Sequence, residues 1–411
     1  MLFLLIVVLS PAHAEITGAD DLATIKTRAA QGDAKAQYRL GYMYAVGQGV
    51  VQDDKQAVVW YAKAAEQGYA EAQAYLGRKY YYGEGVAKDD KQAMIWFTKA
   101  AEQGHARSQV ILGGIYASGK GVPQDYKQAM TWYTRAAEQG QVNAQYLLAE
   151  MYAEGKGVPQ DSKQAVRWYT KAAEQGDAKA QFNLGWMYAQ GNGVSQDYKQ
   201  ALSLFTSAAG EGHEEAQFKL AVMYDEGKGV AQDYKQAVAW YTKAALRGHI
   251  LAQYNLGIKY SVGEGVAQDA KQAVTWFTRA ARKGYAKAQY NLGVMYDKGE
   301  GVARDYKQAI VWYTKAAEQG DTKAQSNLAV MYGAGKGAER DDKLAYVWSS
   351  MSATSGDATA IRNRDILRER LPSPVLSEAQ EMVARIQAKI DQTKTTPAQG
   401  PASGSAPSET R

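Results

Sequence analysis

An all-α solenoid of stacked αα-hairpins is the fold this 411-residue chain predicts. Three observations point to it. Tryptophan stands at positions 60, 96, 132, 168, 240, 276, 312 and 348, every step being 36 residues except for one skipped register, where Leu204 takes its place. So strict a clock in a bulky residue marks supersecondary units stacked in single file. Within each period, two stretches carry apolar residues at the three-to-four spacing of an amphipathic helix. The glycines, 40 in all, keep fixed places in the period and act as turn residues rather than low-complexity sequence.

Aligned on the tryptophans, nine full units begin at residues 34, 70, 106, 142, 178, 214, 250, 286 and 322. In the unit 286–321, Ala288, Leu292, Met295 and Tyr296 share one face of a first helix. Ala309, Trp312, Tyr313, Ala316 and Ala317 share one face of a second. Asp305 followed by Gln308 has the spacing of a capping box at the start of the second helix. Gly320 is placed to end that helix in a left-handed conformation, and Asp321 to cap the next first helix. A Gly-x-Gly pair lies between the helices, at Gly299 and Gly301 here. No strand precedes it and it recurs in every unit, so it reads as a turn needing positive φ rather than a phosphate loop. Alanines on the helix faces allow close approach, and the Trp and Tyr side chains fill the space between.

These motifs resemble the Sel1-like repeat, a tetratricopeptide-like family. The matching stretches read Ala-x-Ala-Gln-Tyr-Asn-Leu-Gly-x-Met-Tyr, Gly-x-Gly-Val and Trp-Tyr-x-Lys-Ala-Ala-Glu-Gln-Gly, and the likeness covers 34–357. It implies a right-handed superhelix of nine repeats that serves as a protein-interaction scaffold, with bacterial relatives in envelope, signalling and host-contact roles. Residues 15–33 read as an N-terminal half-repeat cap in which Thr24 replaces the tryptophan. Residues 358–391 read as two capping helices around a Pro372/Pro374 break, the second with an apolar face of Ala379, Met382, Val383, Ile386 and Ile390. The Thr, Pro, Ser and Gly-rich stretch 392–411 is expected to be a disordered tail.

The apolar run Leu2–Leu9, followed by Pro11 and Ala12-His13-Ala14, reads as a signal peptide over 1–14, although no Lys or Arg precedes it. It is too short to span a bilayer. The expected location is the periplasm or the cell surface. Cysteine is absent, so packing alone holds the fold. The net charge of +5 comes from interleaved signs. Even the ladder Lys55, Lys91, Lys127 and onward follows an aspartate two residues earlier in each unit, so nucleic acid is not an expected partner.

Chemistry is sparse. His105, His213 and His249 occupy the same inter-unit turn and do not converge, so no metal and no cofactor are expected. Neither Ser-x-x-Lys, Gly-x-Ser-x-Gly nor His-Glu-x-x-His occurs, and the carboxylates recur as caps, so no enzyme activity is expected. The β-lactam hydrolysis linked to some relatives does not carry over to a chain without a nucleophile pattern.

Recognition is therefore sought where units differ. By the tetratricopeptide resemblance, the sixth residue of each unit lies on the concave surface. That column reads Arg39, Tyr75, Ile111, Leu147, Asn183, Lys219, Asn255, Asn291 and Asn327. Its polar members Asn183, Lys219, Asn255, Asn291 and Asn327 are candidates to grip an extended peptide. Trp186 is a further candidate: either an exposed anchor, or a core residue compensating for the tryptophan lost at Leu204. Secondary candidates are Ile250 and Leu251 at an irregular junction, and Tyr81 and Tyr82 in the run Tyr80-Tyr81-Tyr82. The reading is a non-enzymatic scaffold for a protein or extended peptide. Its rivals are a peptidoglycan-associated binder or hydrolase, in which Trp186 and the tyrosines stack on sugars, and a surface protein that binds a host glycoprotein.

Overall fold

Residues 21–395 are described by the structure, a computed structural model. The segment 1–14 and most of the expected tail lie outside them. All regular structure among the described residues is α-helical. The chain divides into two compact units, one ending at Ala208 and one beginning at Ala209. Each is a succession of antiparallel helix pairs in which a helix packs against its neighbours in sequence.

Local rules set the helix ends. The helix Asp54–Glu66 begins because Asp53 turns its carboxylate onto the backbone N–H groups of Lys55 and Gln56, at 2.9 and 3.0 Å. Only half of a capping box forms, however. The Asp53 N–H donates to the Tyr44 carbonyl at 2.9 Å, closing the inter-helix loop, so the Gln56 side chain has no orphan donor to satisfy. The preceding helix, Ala34–Val46, stops at Gly47, whose φ of 76° is left-handed. The second glycine of the loop meets a different demand. At Gly265 (φ 74°) a methyl group would sit 2.1 Å from the carbonyl oxygen of Tyr234 in the previous repeat, so any side chain would push two units apart.

The tryptophan column marks the period but is not the deepest layer. Trp132, Trp168, Trp276 and Trp348 are buried, while Trp60, Trp96, Trp240 and Trp312 are half-buried. The fully enclosed ring is the following residue, as in Tyr61, Phe97, Tyr241 and Tyr313. It can pack so closely because the first helix offers glycine opposite it: a Cβ on Gly113 would come within 2.5 Å of the Tyr133 ring. A cation three residues on covers the indole in most units, from Lys243 over Trp240 at 3.7 Å to Arg135 over Trp132 at 4.7 Å. In the unit with Leu204 the corresponding residue is Ser207, so ring and cation are lost together.

A second ladder is polar and buried. The fourth residue of every unit is glutamine, and its amide donates to an alanine carbonyl at the end of the preceding second helix, as Gln73 does to Ala65 at 3.0 Å. Its own oxygen accepts from a glutamine in the next turn: Gln103 to Gln73 at 2.8 Å, and Gln319 to Gln289 at 2.7 Å. Gln181, Gln217, Gln253 and Gln325 lack this second partner, because the donor position holds Glu211, Arg247, Lys283 and Ser355.

At the N-terminal end, the helix Leu22–Ala30 buries Ile25 and Ala29 against Leu40 and Met43. At the C-terminal end, the helix Ala358–Arg370 is followed by Ser373–Thr395. Pro374 lies inside the first turn of that last helix, where its missing N–H costs nothing, so the break is confined to Leu371 and Pro372. The last helix extends past residue 391 to Thr395, so the stretch expected to be tail begins as helix. Ala379, Val383, Ile386 and Ile390 lie against Val347, Trp348 and Met351, covering the end of the stack. No helix among the described residues is long and apolar enough to cross a membrane.

Candidate binding surface

Each sixth residue lies on a first helix two residues after the buried glutamine, and every member of the column is half-buried. The asparagines carry internal obligations. Asn183 donates through Nδ2 to the Tyr169 hydroxyl at 3.1 Å, and Asn255 does the same to Tyr241, also at 3.1 Å. The Tyr241 hydroxyl in turn donates to Asp225 at 3.1 Å. Asn327 and Asp297 flank the Tyr313 hydroxyl similarly, although no bond there has good geometry. Asn291 faces Tyr254, because the enclosed ring of its neighbouring unit is Phe277, which has no hydroxyl. Asn183 also reaches the Tyr146 hydroxyl and Asn327 that of Tyr290, and an amide beyond its tyrosine bonds still offers the oxygen that an extended backbone N–H requires. Lys219 extends the column within the second unit, 3.8 Å from Glu215.

Trp186 is half-buried, intermediate between the two roles considered for it. Leu204 itself packs into the cluster built on Leu184 and Met187. Tyr81 and Tyr82 meet edge to face at 5.0 Å, and the Lys120 ammonium donates to the Tyr81 hydroxyl at 2.8 Å. Tyr82 is 52% exposed. Ile250 is half-buried and packs against the cluster around Phe277, whereas Leu251 is exposed.

The histidines are N-caps. Nδ1 of His105, His213 and His249 accepts from the N–H three residues on, at 3.2, 3.2 and 3.1 Å. They replace the aspartate that caps other first helices. His249 also lies 2.9 Å from Glu215 and stacks on Phe218. Burial pushes the His105 imidazole below its usual range, in keeping with an acceptor nitrogen. Among the described residues, no three His, Cys, Asp or Glu side chains gather where they could hold a metal. Glu150, raised by burial, touches the Tyr146 hydroxyl at 2.6 Å.

Two buried charges escaped the sequence reading. Lys79 and Lys259 occupy the tenth position of their units, where every other unit has Met or Ile, and they are 2% and 6% exposed. Lys79 binds Asp54 at 2.6 Å and Glu84 at 3.0 Å. Lys259 binds Asp225 and, at 2.8 Å, Glu264. Burial pushes the Lys259 ammonium down, but the two carboxylates more than offset it and hold it above the ordinary lysine range. The available signal was the column itself, since a lysine in a methionine register implies a buried partner.

The Sel1 repeat model matches nine successive segments, 34–69, 70–105, 106–141, 142–177, 178–213, 214–249, 250–285, 286–321 and 322–357. The chain belongs to the Sel1 repeat family. Two solved structures resemble it along most of their length. One is a protective antigen of uropathogenic Escherichia coli displaying an SLR fold, 35% identical, covering 94% of this chain and 91% of that one, with a TM-score of 0.61. The other is a Sel1 repeat protein from Oxalobacter formigenes, 37% identical, covering 76% and 91%, with a TM-score of 0.60. Among curated proteins none matches. Sel1 repeat proteins are generally protein-interaction scaffolds and typically non-catalytic. In this Sel1 array the differences between repeats are therefore the places to look for a partner.

Proposed function

We propose that this Sel1 protein is a non-enzymatic scaffold of the bacterial envelope that binds another protein, or an extended peptide, across the sixth-residue face of its first helices. The supporting observation is the run Lys219, Asn255, Asn291 and Asn327 in the unit from Ala209, polar and half-buried in four successive repeats. Amides already oriented by tyrosines lose little side-chain freedom when they accept a ligand. Asn183 supplies the same chemistry in the preceding unit. The leader-like sequence 1–14 supports export. A second reading, in which a cell-wall or host glycan is bound, draws on Tyr82 with Tyr81 and Lys120 behind it.

The double variant Asn255→Ala/Asn291→Ala is expected to capture about tenfold less partner from envelope extract than the wild type. Its melting temperature should fall by only about 2 °C, because Tyr241 keeps Asp225 as an acceptor. Equal capture by the two proteins removes the asparagines from the site. Retention by a glycan array with no protein captured favours the second reading.

A further inference from the structure

The turn that joins one repeat to the next usually reads Glu-Gln-Gly, as at Glu102-Gln103-Gly104 and Glu318-Gln319-Gly320. Four turns depart from this, at 210–212, 246–248, 282–284 and 354–356, and two consecutive ones bring in cations. One is Leu246-Arg247-Gly248 and the next is Arg282-Lys283-Gly284. Each has exchanged its acid, and its neutral hydrogen-bond donor, for leucine or cations. Leu246 is 66% exposed. The second residue of the following repeat is Leu251, 39% exposed, where the next two repeats have Lys287 and Lys323. The two turns touch, since the Lys283 ammonium donates to the Gly248 carbonyl at 2.6 Å.

The exchange costs the fold something. Gln217 and Gln253, both 4% exposed, are left with an amide oxygen that has no hydrogen-bond partner, because Arg247 and Lys283 stand where a glutamine would donate. A buried acceptor without a donor is destabilising, and a leucine turned to water adds nothing to the fold. Orphaned oxygens occur at Gln181 and Gln325 too, but only at these two turns are they accompanied by added cations and an exposed leucine, which marks a surface shaped for something outside the chain. Leu251 and Lys287 also stand one helical turn before Asn255 and Asn291, so this edge borders the sixth-residue face.

We propose that the paired turns 246–251 and 282–287 dock an acidic peptide segment bearing leucine-sized apolar side chains. The proposal rests on the reading that the partner is a protein, and it names the chemistry of that partner. Arg247, Arg282, Lys283 and Lys287 supply the complement to carboxylates, and Leu246 and Leu251 the apolar anchors. Two leucines on a turn do not provide the broad apolar face with which a protein lies on a lipid surface.

The test uses the full chain and a fluorescent synthetic peptide of alternating glutamate and leucine, with binding read by anisotropy. Its controls are the lysine–leucine counterpart and vesicles of anionic phospholipid. Arg247→Gln/Lys283→Gln should weaken glutamate–leucine binding about tenfold and raise the melting temperature by about 2 °C, as Gln217 and Gln253 regain donors. Leu246→Glu should weaken binding with no such gain in stability. Lys63→Gln, at an exposed cation outside both turns, should leave this binding within about twofold. The proposal is overturned by no binding of the acidic peptide, by equal binding to the Arg247→Gln/Lys283→Gln protein, or by binding to vesicles alone. Loss of binding in Asn255→Ala/Asn291→Ala with none in Arg247→Gln/Lys283→Gln overturns it too, while leaving the sixth-residue face intact.

Discussion

Trp132→Ala lowers the stability of the unit ending at Ala208 by about 3–5 kcal/mol, the usual cost of truncating an enclosed indole. Trp132 is 8% exposed and belongs to the cluster of Phe97, Leu112 and Ile115, so it ties its own repeat to the one before. Its loss also strips Arg135 of the ring it covers at 4.7 Å. In a linear array the damage is to a nearest-neighbour interface, so urea or thermal unfolding should broaden or split as the flanking repeats uncouple. Trp60→Ala, at a half-buried position, should cost less. A Trp132→Ala curve that overlays the wild type would mean that the tryptophan column marks the period without holding it.

Alkali should unfold the protein cooperatively from about pH 10 upward. Burial raises the phenol pKa of Tyr61, Tyr133, Tyr169, Tyr241 and Tyr313 above the ordinary value of 10.0, with Asp225 adding to the effect at Tyr241. The folded state thus holds protons that the unfolded chain would release. Their stabilising contribution is complete below the unfolded pKa and is lost as pH rises through the folded one. Lys259, raised by its carboxylates after burial has lowered it, acts in the same direction. Tyrosinate absorbance and helical circular dichroism should therefore change together. Enclosed tyrosines that ionise near pH 10 with helicity intact would show that the ring column is open to water.

How much of this was legible depended on the range of the interaction. Trp312 and Tyr313, the cap Asp321 and the left-handed Gly299 act within a helix or a turn, so periodicity and turn chemistry reveal them. The helix ending in Thr395 was misjudged at its edge, because composition alone does not show that Ile390 finds cover among Trp348 and Met351. Lys259 was missed for a related reason: its partner Asp225 lies one repeat back, and an isolated lysine reads as solvated. The glutamine ladder was equally hidden, since Gln73 accepts from Gln103 across a turn and glutamine is ordinarily a surface residue. The sixth-residue column was legible as a column. That Asn183 and Asn255 answer to tyrosine hydroxyls was not, because it depends on which rings the fold encloses.

The most direct measurement places a photo-crosslinking amino acid at Asn291 in the native cell and identifies the adduct by mass spectrometry. A discrete protein partner, lost when the probe is moved to an exposed second-helix position such as Val311, is the predicted result. Recovery of glycan adducts alone, or of the same adducts from both positions, would contradict it.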